Sequence, residues 1–195
     1  MMETIGLIAG SGWASGLNLY LATLILGIAG RAGWADLPEV LSRTDVMIVA
    51  GVLFVVEFVA DKVPFLDNFW DVIHTFVRPI GAAAVGAVIA GESGSVGAAV
   101  GGILSGALAL DAHSAKASTR VMVNASPEPV SNIAVSFFED IGVAALVALA
   151  VTYPVVTVVV VAVLVVVATA LTIWLWKAVR RVWWRVKARM PGVQF

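Results

Sequence analysis

The sequence predicts an all-α polytopic membrane protein with about six transmembrane helices, including two quasi-repeated hairpins with proline-broken polar approaches. Three observations predict this class. Of 195 residues, 61% are hydrophobic, against roughly 45–50% in ordinary soluble domains. Charged residues make up 13%, about half the usual ~25%. Several apolar runs reach or approach the ~20 residues that cross a bilayer core.

The spans follow in chain order. The first runs from about Ile5 to Ala29. No Lys or Arg precedes Arg31, so this run lacks the basic flank of a signal peptide and is expected to remain as a span. The second covers about Val46 to Ala60 and carries Glu57 near its end. The third is the small-residue run "IGAAAVGAVIAG" after Pro79, which is long enough only if its helix begins near Phe69. The fourth covers about Val96 to Leu110, the fifth Ile133 to Val151 and the sixth Val155 to Trp176. Gly, Ala and Ser recur every three or four residues in the third and fourth, the pattern that lets membrane helices approach closely. The sixth has no charge and few small residues, as expected of a peripheral, lipid-facing helix. Residues 1–176 thus form one transmembrane helical domain, and residues 177–195 a basic, Trp-rich interfacial tail on anionic headgroups.

Basic residues orient the chain. Six of the twelve Lys and Arg lie after residue 176 with no acid among them, which places the tail in the cytoplasm. Six spans then put the N-terminus inside as well. Lys62, Arg78, Lys116 and Arg120 join the tail there, leaving only Arg31 and Arg43 outside. The expected location is the cell's inner membrane, with both termini cytoplasmic.

Two polar stretches interrupt the apolar runs. In the first, Asp67, Asp71, His74 and Arg78 fall at i, i+4, i+7 and i+11, one stripe of a helix. Glu57 and Asp61 end the preceding span, Pro64 breaks the chain between them, and Pro79 is expected to kink the third span. In the second, His113, Lys116, Arg120 and Asn124 share one face. Pro127 and Pro129 then break the chain, and Asn132, Ser136, Glu139 and Asp140 follow along the fifth span. Superposing Gly81 on Gly142 sets Asp67 opposite Glu128, Asp71 opposite Asn132 and Arg78 opposite Glu139. The two hairpins therefore look quasi-equivalent about an axis along the membrane normal.

An ionised side chain at mid-bilayer costs about 2.5–3.5 kcal/mol even on the lenient insertion scale. The stripes are therefore expected to face one another or water, with Arg78 near carboxylates such as Glu139 or Asp140. Lys62, Asp111 and Glu128 read instead as residues that solvate helix ends. With no cysteine, thiol catalysis and thiolate metal sites are excluded. No Gly-rich loop followed by Lys-Ser/Thr points to a nucleotide. A basic tail this short beside a membrane argues against nucleic acid.

The segments "ADKVPFLD", "TFVRP", "HSAKASTR" and "NIAVSFFED", in that order, resemble the signature segments of the bacterial integral-membrane family called domain of unknown function 4126. The likeness runs from Ser15 to about Val151. It points to Asp61, Lys62, Pro64, Asp67, Asp71, Arg78 and Pro79, and to His113, Lys116, Thr119, Arg120, Asn132, Ser136, Glu139 and Asp140. It implies a membrane fold and assigns no activity.

Three functions fit these features. The foremost is a transporter, channel or flippase-like pathway for a small or lipid-linked anionic solute, because intramembrane ionisable residues and proline-broken helices occur together in transporters. Its lining would be Asp61, Asp67, Asp71, His74, Arg78, His113, Lys116, Arg120, Asn132, Ser136, Glu139 and Asp140. Arg78, Lys116 and Arg120 supply the preference for an anion. The second is a membrane-embedded enzyme in which Asp67, Asp71 and His74 hold a divalent metal with Glu139 or Asp140; the third is a membrane scaffold. No catalytic residue and no cofactor is predicted. The expected partners are the lipid bilayer, an anionic small molecule or lipid headgroup, and further copies of the chain, but no nucleic acid.

Overall fold

In a computed structural model, residues 1–63, 66–124 and 129–189 are described, and six α-helices form among them: α1 (Met2–Arg31), α2 (Thr44–Ala60), α3 (Leu66–Ala90), α4 (Gly94–Asn124), α5 (Pro129–Thr152) and α6 (Pro154–Arg189). Pro64, Phe65, Pro127 and Glu128, whose turns the sequence singles out, lie outside the described residues. Four helical stretches are long and apolar enough to cross a membrane: Met2–Arg31, Leu66–Val123, Val130–Thr152 and Pro154–Arg181. The second contains both α3 and α4, folded back at a single 3-10 turn, Gly91–Ser93. Gly94 closes that turn at a φ of 84°, a conformation that a Cβ would strain.

α3 is inside out. Asp67, Asp71, His74 and Arg78 are buried, and the same face continues through Ala82, Val85 and Ile89. Phe69, Val72, Phe76 and Ile80 are exposed. In water this pattern would waste the hydrophobic effect, whereas in lipid an apolar surface costs nothing and charges must be sequestered. α4 follows suit, burying Ser105, Ala109, His113, Lys116 and Arg120 at helical spacing. These are membrane helices.

α1 is the central post. It packs against all five other helices and buries nearly every residue from Gly6 to Leu19. Small residues allow this. A Cβ on Gly12 would lie 2.8 Å from Ser105 Cα, and one on Gly16 would lie 2.6 Å from Ala112 Cβ. The α3–α4 pair is the most extensive helix contact in the bundle. There the approach is equally close: a Cβ on Gly101 would lie 2.5 Å from Ala90 Cβ and 2.6 Å from the Gly86 carbonyl. By contrast α2 hardly touches α3, nor α4 α5, so the legs of each polar hairpin diverge. α6 is peripheral; among its described side chains only a thin stripe of Thr157, Val161, Ala168 and Leu175 is buried. It continues as one helix through the basic Trp-rich segment to Arg189.

The break in the helical backbone falls where the sequence reading does not place it. α3 runs through Pro79 as one helix, whereas α1 departs from helical geometry at Asn18, with φ −151° and ψ 98°. Pro79 lacks an N–H and so removes one helical bond, but the rest of the turn is held by the close α3–α4 packing. At Asn18 a side chain takes over the backbone's role: its Oδ1 accepts from the Leu21 N–H at 2.9 Å. That is an N-cap for a second helix starting inside the first.

Candidate functional site

The divergent hairpins and the broken α1 enclose one ionic network, built by every helix except α6. Its first centre is Arg78, fully buried. Nη2 donates to Glu57 Oε1 at 2.6 Å. Nη1 donates to His113 Nδ1 at 2.7 Å, to Asp71 Oδ1 at 3.2 Å and to the Gly16 carbonyl at 3.4 Å. A guanidinium can only donate, so His113 Nδ1 is the acceptor and its ring proton lies on Nε2. Nε2 faces Thr75 Oγ1 at 3.0 Å, and that hydroxyl donates to the Asp71 carbonyl at 2.9 Å. His74 Nδ1 lies 2.9 Å from the Trp70 carbonyl, which can only accept, so that nitrogen carries the proton. In the neutral ring Nε2 then accepts from the Tyr20 hydroxyl, 3.2 Å away.

The second centre lies one level along, at Asp61. Lys116 Nζ donates to Asp61 Oδ2 at 2.6 Å and to the Leu17 carbonyl at 3.0 Å. Arg120 donates to Glu139 Oε2 at 2.7 Å, to Asn132 Oδ1 at 2.6 Å and to the Asp61 carbonyl at 2.9 Å. Asp67 Oδ2 is 3.7 Å from the same guanidinium. Asp61 caps α2, so Arg120 also sits at the negative end of a helix dipole.

The third centre ties α5 to the break in α1. Asn18 Nδ2 donates to Asp140 Oδ1 at 3.0 Å. Lys62 Nζ is 3.8 Å from Asp140 Oδ2, donates to Ser136 Oγ at 3.2 Å and to the Phe58 carbonyl at 3.1 Å, and lies over the Phe58 ring. Lys62, in the turn after α2, has its pKa lowered because burial disfavours the ammonium; Asp140 and Asp61 oppose that shift.

Eleven of the twelve residues expected to line the site take part in these contacts; the twelfth, His74, is buried beside them and bonds to the Trp70 carbonyl and the Tyr20 hydroxyl. One expected pairing is corrected. Arg78 meets Glu57 and Asp71, while Glu139 belongs to Arg120 and Lys116. Arg78 stands level with the break in α1, one layer from the Arg120 centre. Lys62 is also drawn inside, rather than merely solvating a helix end, and Asp111 accepts from Thr169 Oγ1 at 2.7 Å. Sequence reasoning missed Asn18, the Gly16 and Leu17 carbonyls, and Tyr20. The available signal was a lone Asn after "SGL" inside an apolar run. Among the described residues, no group of three or more His, Asp or Glu side chains converges to hold a metal ion.

Charge and hydrogen bonding in the network are both incomplete. Among the described residues, six carboxylates (Glu57, Asp61, Asp67, Asp71, Glu139 and Asp140) meet four cations (Lys62, Arg78, Lys116 and Arg120), a formal excess of two negative charges. Glu57 Oε2, Asp61 Oδ1, Asp71 Oδ2 and Asp140 Oδ2 are buried without a hydrogen-bond donor, and Nε of Arg78 and of Arg120 without an acceptor. Groups of both signs therefore have unused capacity in a setting where unused capacity is costly.

No curated protein and no solved structure matches the chain. The family model described as "Domain of unknown function (DUF4126)" matches residues 5–177, which span every element of the network, and the chain belongs to that family.

Proposed function

We propose that the protein is a transporter: a proton-coupled pathway for a small or lipid-linked anionic solute, in the inner membrane with its basic tail on the cytoplasmic side. One observation carries the reading. Beside a helix broken in mid-span, six carboxylates of the described network face four cations, and both signs have buried, unpartnered polar atoms.

The surplus carboxylates cannot all be ionised at low dielectric, so some hold protons. Protonation of Glu57 or Asp71 neutralises a partner of Arg78 and leaves its guanidinium free to take an anion through the Nε–Nη fork. Loss of the proton restores the internal pair and expels the anion. Broken helices whose freed carbonyls face charged groups serve the same purpose at transporter midplanes. Here those carbonyls belong to Gly16 and Leu17.

Proteoliposomes with a trapped pH dye test this. Methanesulfonate is a suitable probe because it stays ionised and does not leak across as a neutral acid. An inward methanesulfonate gradient should acidify the lumen in proportion to anion uptake, and Glu57→Gln should uncouple the two. Anion uptake with no proton movement would overturn the coupling. Neither flux above that of empty vesicles, for this anion or for phosphate, would overturn the transport reading.

A further inference from the structure

The break at Asn18 reverses the direction of the chain. Before it, α1 runs antiparallel to α3. Ile8 reaches the contact of Gly101 with Ala90, Gly12 and Gly86 both pack on Ser105, and the Gly16 carbonyl accepts from Arg78. The facing positions on α3 thus fall from Ala90 to Arg78, and a helix that ran on would next meet Asp71 and Asp67. They rise instead. Leu19 meets Gly81, and Thr23 shares a cavity of about 350 Å³ with Val85. α2 gives the same result independently. Met47 packs on Gly27 and Gly51 faces Leu24, so α2 is antiparallel to the second half of α1. It is antiparallel to α3 as well, because Glu57 pairs with Arg78 while Val46 and Ala50 line the cavity with Val85. Two segments antiparallel to a third are parallel to each other. Tyr20 agrees. Helical side chains lean toward the N-terminus of their own helix, and the Tyr20 hydroxyl reaches back to His74 Nε2 at 3.2 Å while Thr23 stands beside Val85.

The geometry points to α1 as a re-entrant hairpin. Half-helices 2–17 and 19–31 enter and leave on one side of the membrane, and the tip at Asn18 stays inside the bundle. That side holds the α3–α4 turn, the start of α6 at Pro154, which packs on Gly6, and Ser42 before α2, which packs on Gly30. α2 to α6 then make five crossings, and the N-terminus faces the side opposite to the basic tail. Backbone that leaves the helix at membrane depth is tolerated only where protein surrounds it. Asn18 is 1% exposed, and the groups freed there are met: Arg78 and Lys116 take the Gly16 and Leu17 carbonyls, and the Asn18 side chain takes the Leu21 N–H. The basic residues do not oppose this orientation, because no Lys or Arg precedes Arg31 and the excess inside is unchanged. Hydropathy reads residues 5–29 as one full span because two apolar half-helices have the composition of one. A hairpin here requires no transport activity.

Single cysteines in the full chain, expressed in cells, test the hairpin. Glu3→Cys and Asp36→Cys should both react with an impermeant maleimide from the same side as Ser93→Cys, and Arg181→Cys only after the membrane is opened. Glu3→Cys and Asp36→Cys on opposite sides would overturn the hairpin, because α1 would then cross. A distance within the purified chain keeps the test independent of how a variant inserts. Spin labels at Glu3→Cys and Ala32→Cys, in nanodiscs, should lie within about 30 Å, the width of a bundle three helices across. A straight helix would set them about 44 Å apart at 1.5 Å per residue, and a distance nearer that value than 30 Å would overturn the hairpin. Same-side labelling and a short distance in a chain that carries no anion would end the transport reading alone. A long distance in a chain with coupled flux would end the hairpin alone.

Discussion

Arg78 is buried among groups that each need it. Removing one member of a buried ion pair typically costs about 3–5 kcal/mol, because the partner is left charged and unpaired. Arg78→Gln alone should therefore melt well below the parent protein, with Glu57 as the orphan. Combining it with Glu57→Gln removes both charges of the 2.6 Å pair and should recover most of that loss. Thermal melts in detergent measure the first half, and anion flux in proteoliposomes the second. Stability recovered without flux fits a guanidinium that binds solute; recovery of both would make the pair scaffolding. A parallel prediction concerns Arg120. Its Nη1 donates to Asn132 and to the Asp61 carbonyl while its Nη2 donates to Glu139, a planar two-nitrogen fork that an ammonium cannot reproduce. Arg120→Lys should lower the melting temperature despite conserving charge.

At the scale of elements, the network exists because helix faces are inverted and because α1 is interrupted. The stripe at Asp67, Asp71, His74 and Arg78 is the buried face of α3, and helical spacing alone made it visible. The interruption at Asn18 frees the carbonyls that Arg78 and Lys116 use. Asn18→Leu removes the Leu21 cap and the bond to Asp140. The lost cap alone should cost about 1 kcal/mol, with a larger loss of flux than of stability, since the chain would favour a continuous helix that closes those carbonyls to the cations. Flux equal to the parent's at matched protein density would show that the break has no functional role. Close packing gives a sharper structural prediction. Gly101→Val places methyl groups against the Gly86 backbone and Ala90. It should destabilise by about 1–3 kcal/mol or more, seen as reduced yield of monodisperse protein.

For the whole molecule, the positive-inside count makes topology testable. In this cysteine-free chain, Ser93→Cys in the α3–α4 turn should react with an impermeant maleimide from outside, and Ser126→Cys only after the membrane is opened. Labelling of both from outside would mean that α4 does not cross and would sink this topology; labelling of Ser126→Cys alone from outside would reverse the orientation.

The helices, their inverted faces and the polar residues that share those faces were legible in the sequence, because spacing along a helix fixes which side chains share a face. Composition alone dictated that the polar faces turn inward, since lipid penalises charge whatever the partner. The pairings were not legible. Whether Arg78 meets Glu57 or Glu139 depends on how far each helix slides along its neighbours, and that is set by close contacts such as Gly12 on Ser105 and Gly101 on Ala90. The break in α1 was likewise decided in three dimensions. Asn18 leaves the helix because its side chain finds Leu21 and Asp140 while Arg78 and Lys116 take the two carbonyls before it. Pro79, the stronger local breaker, stays helical within the tight α3–α4 contact. Local sequence sets what a backbone can do, and in a medium without water the tertiary partners determine which unpaired group is tolerated.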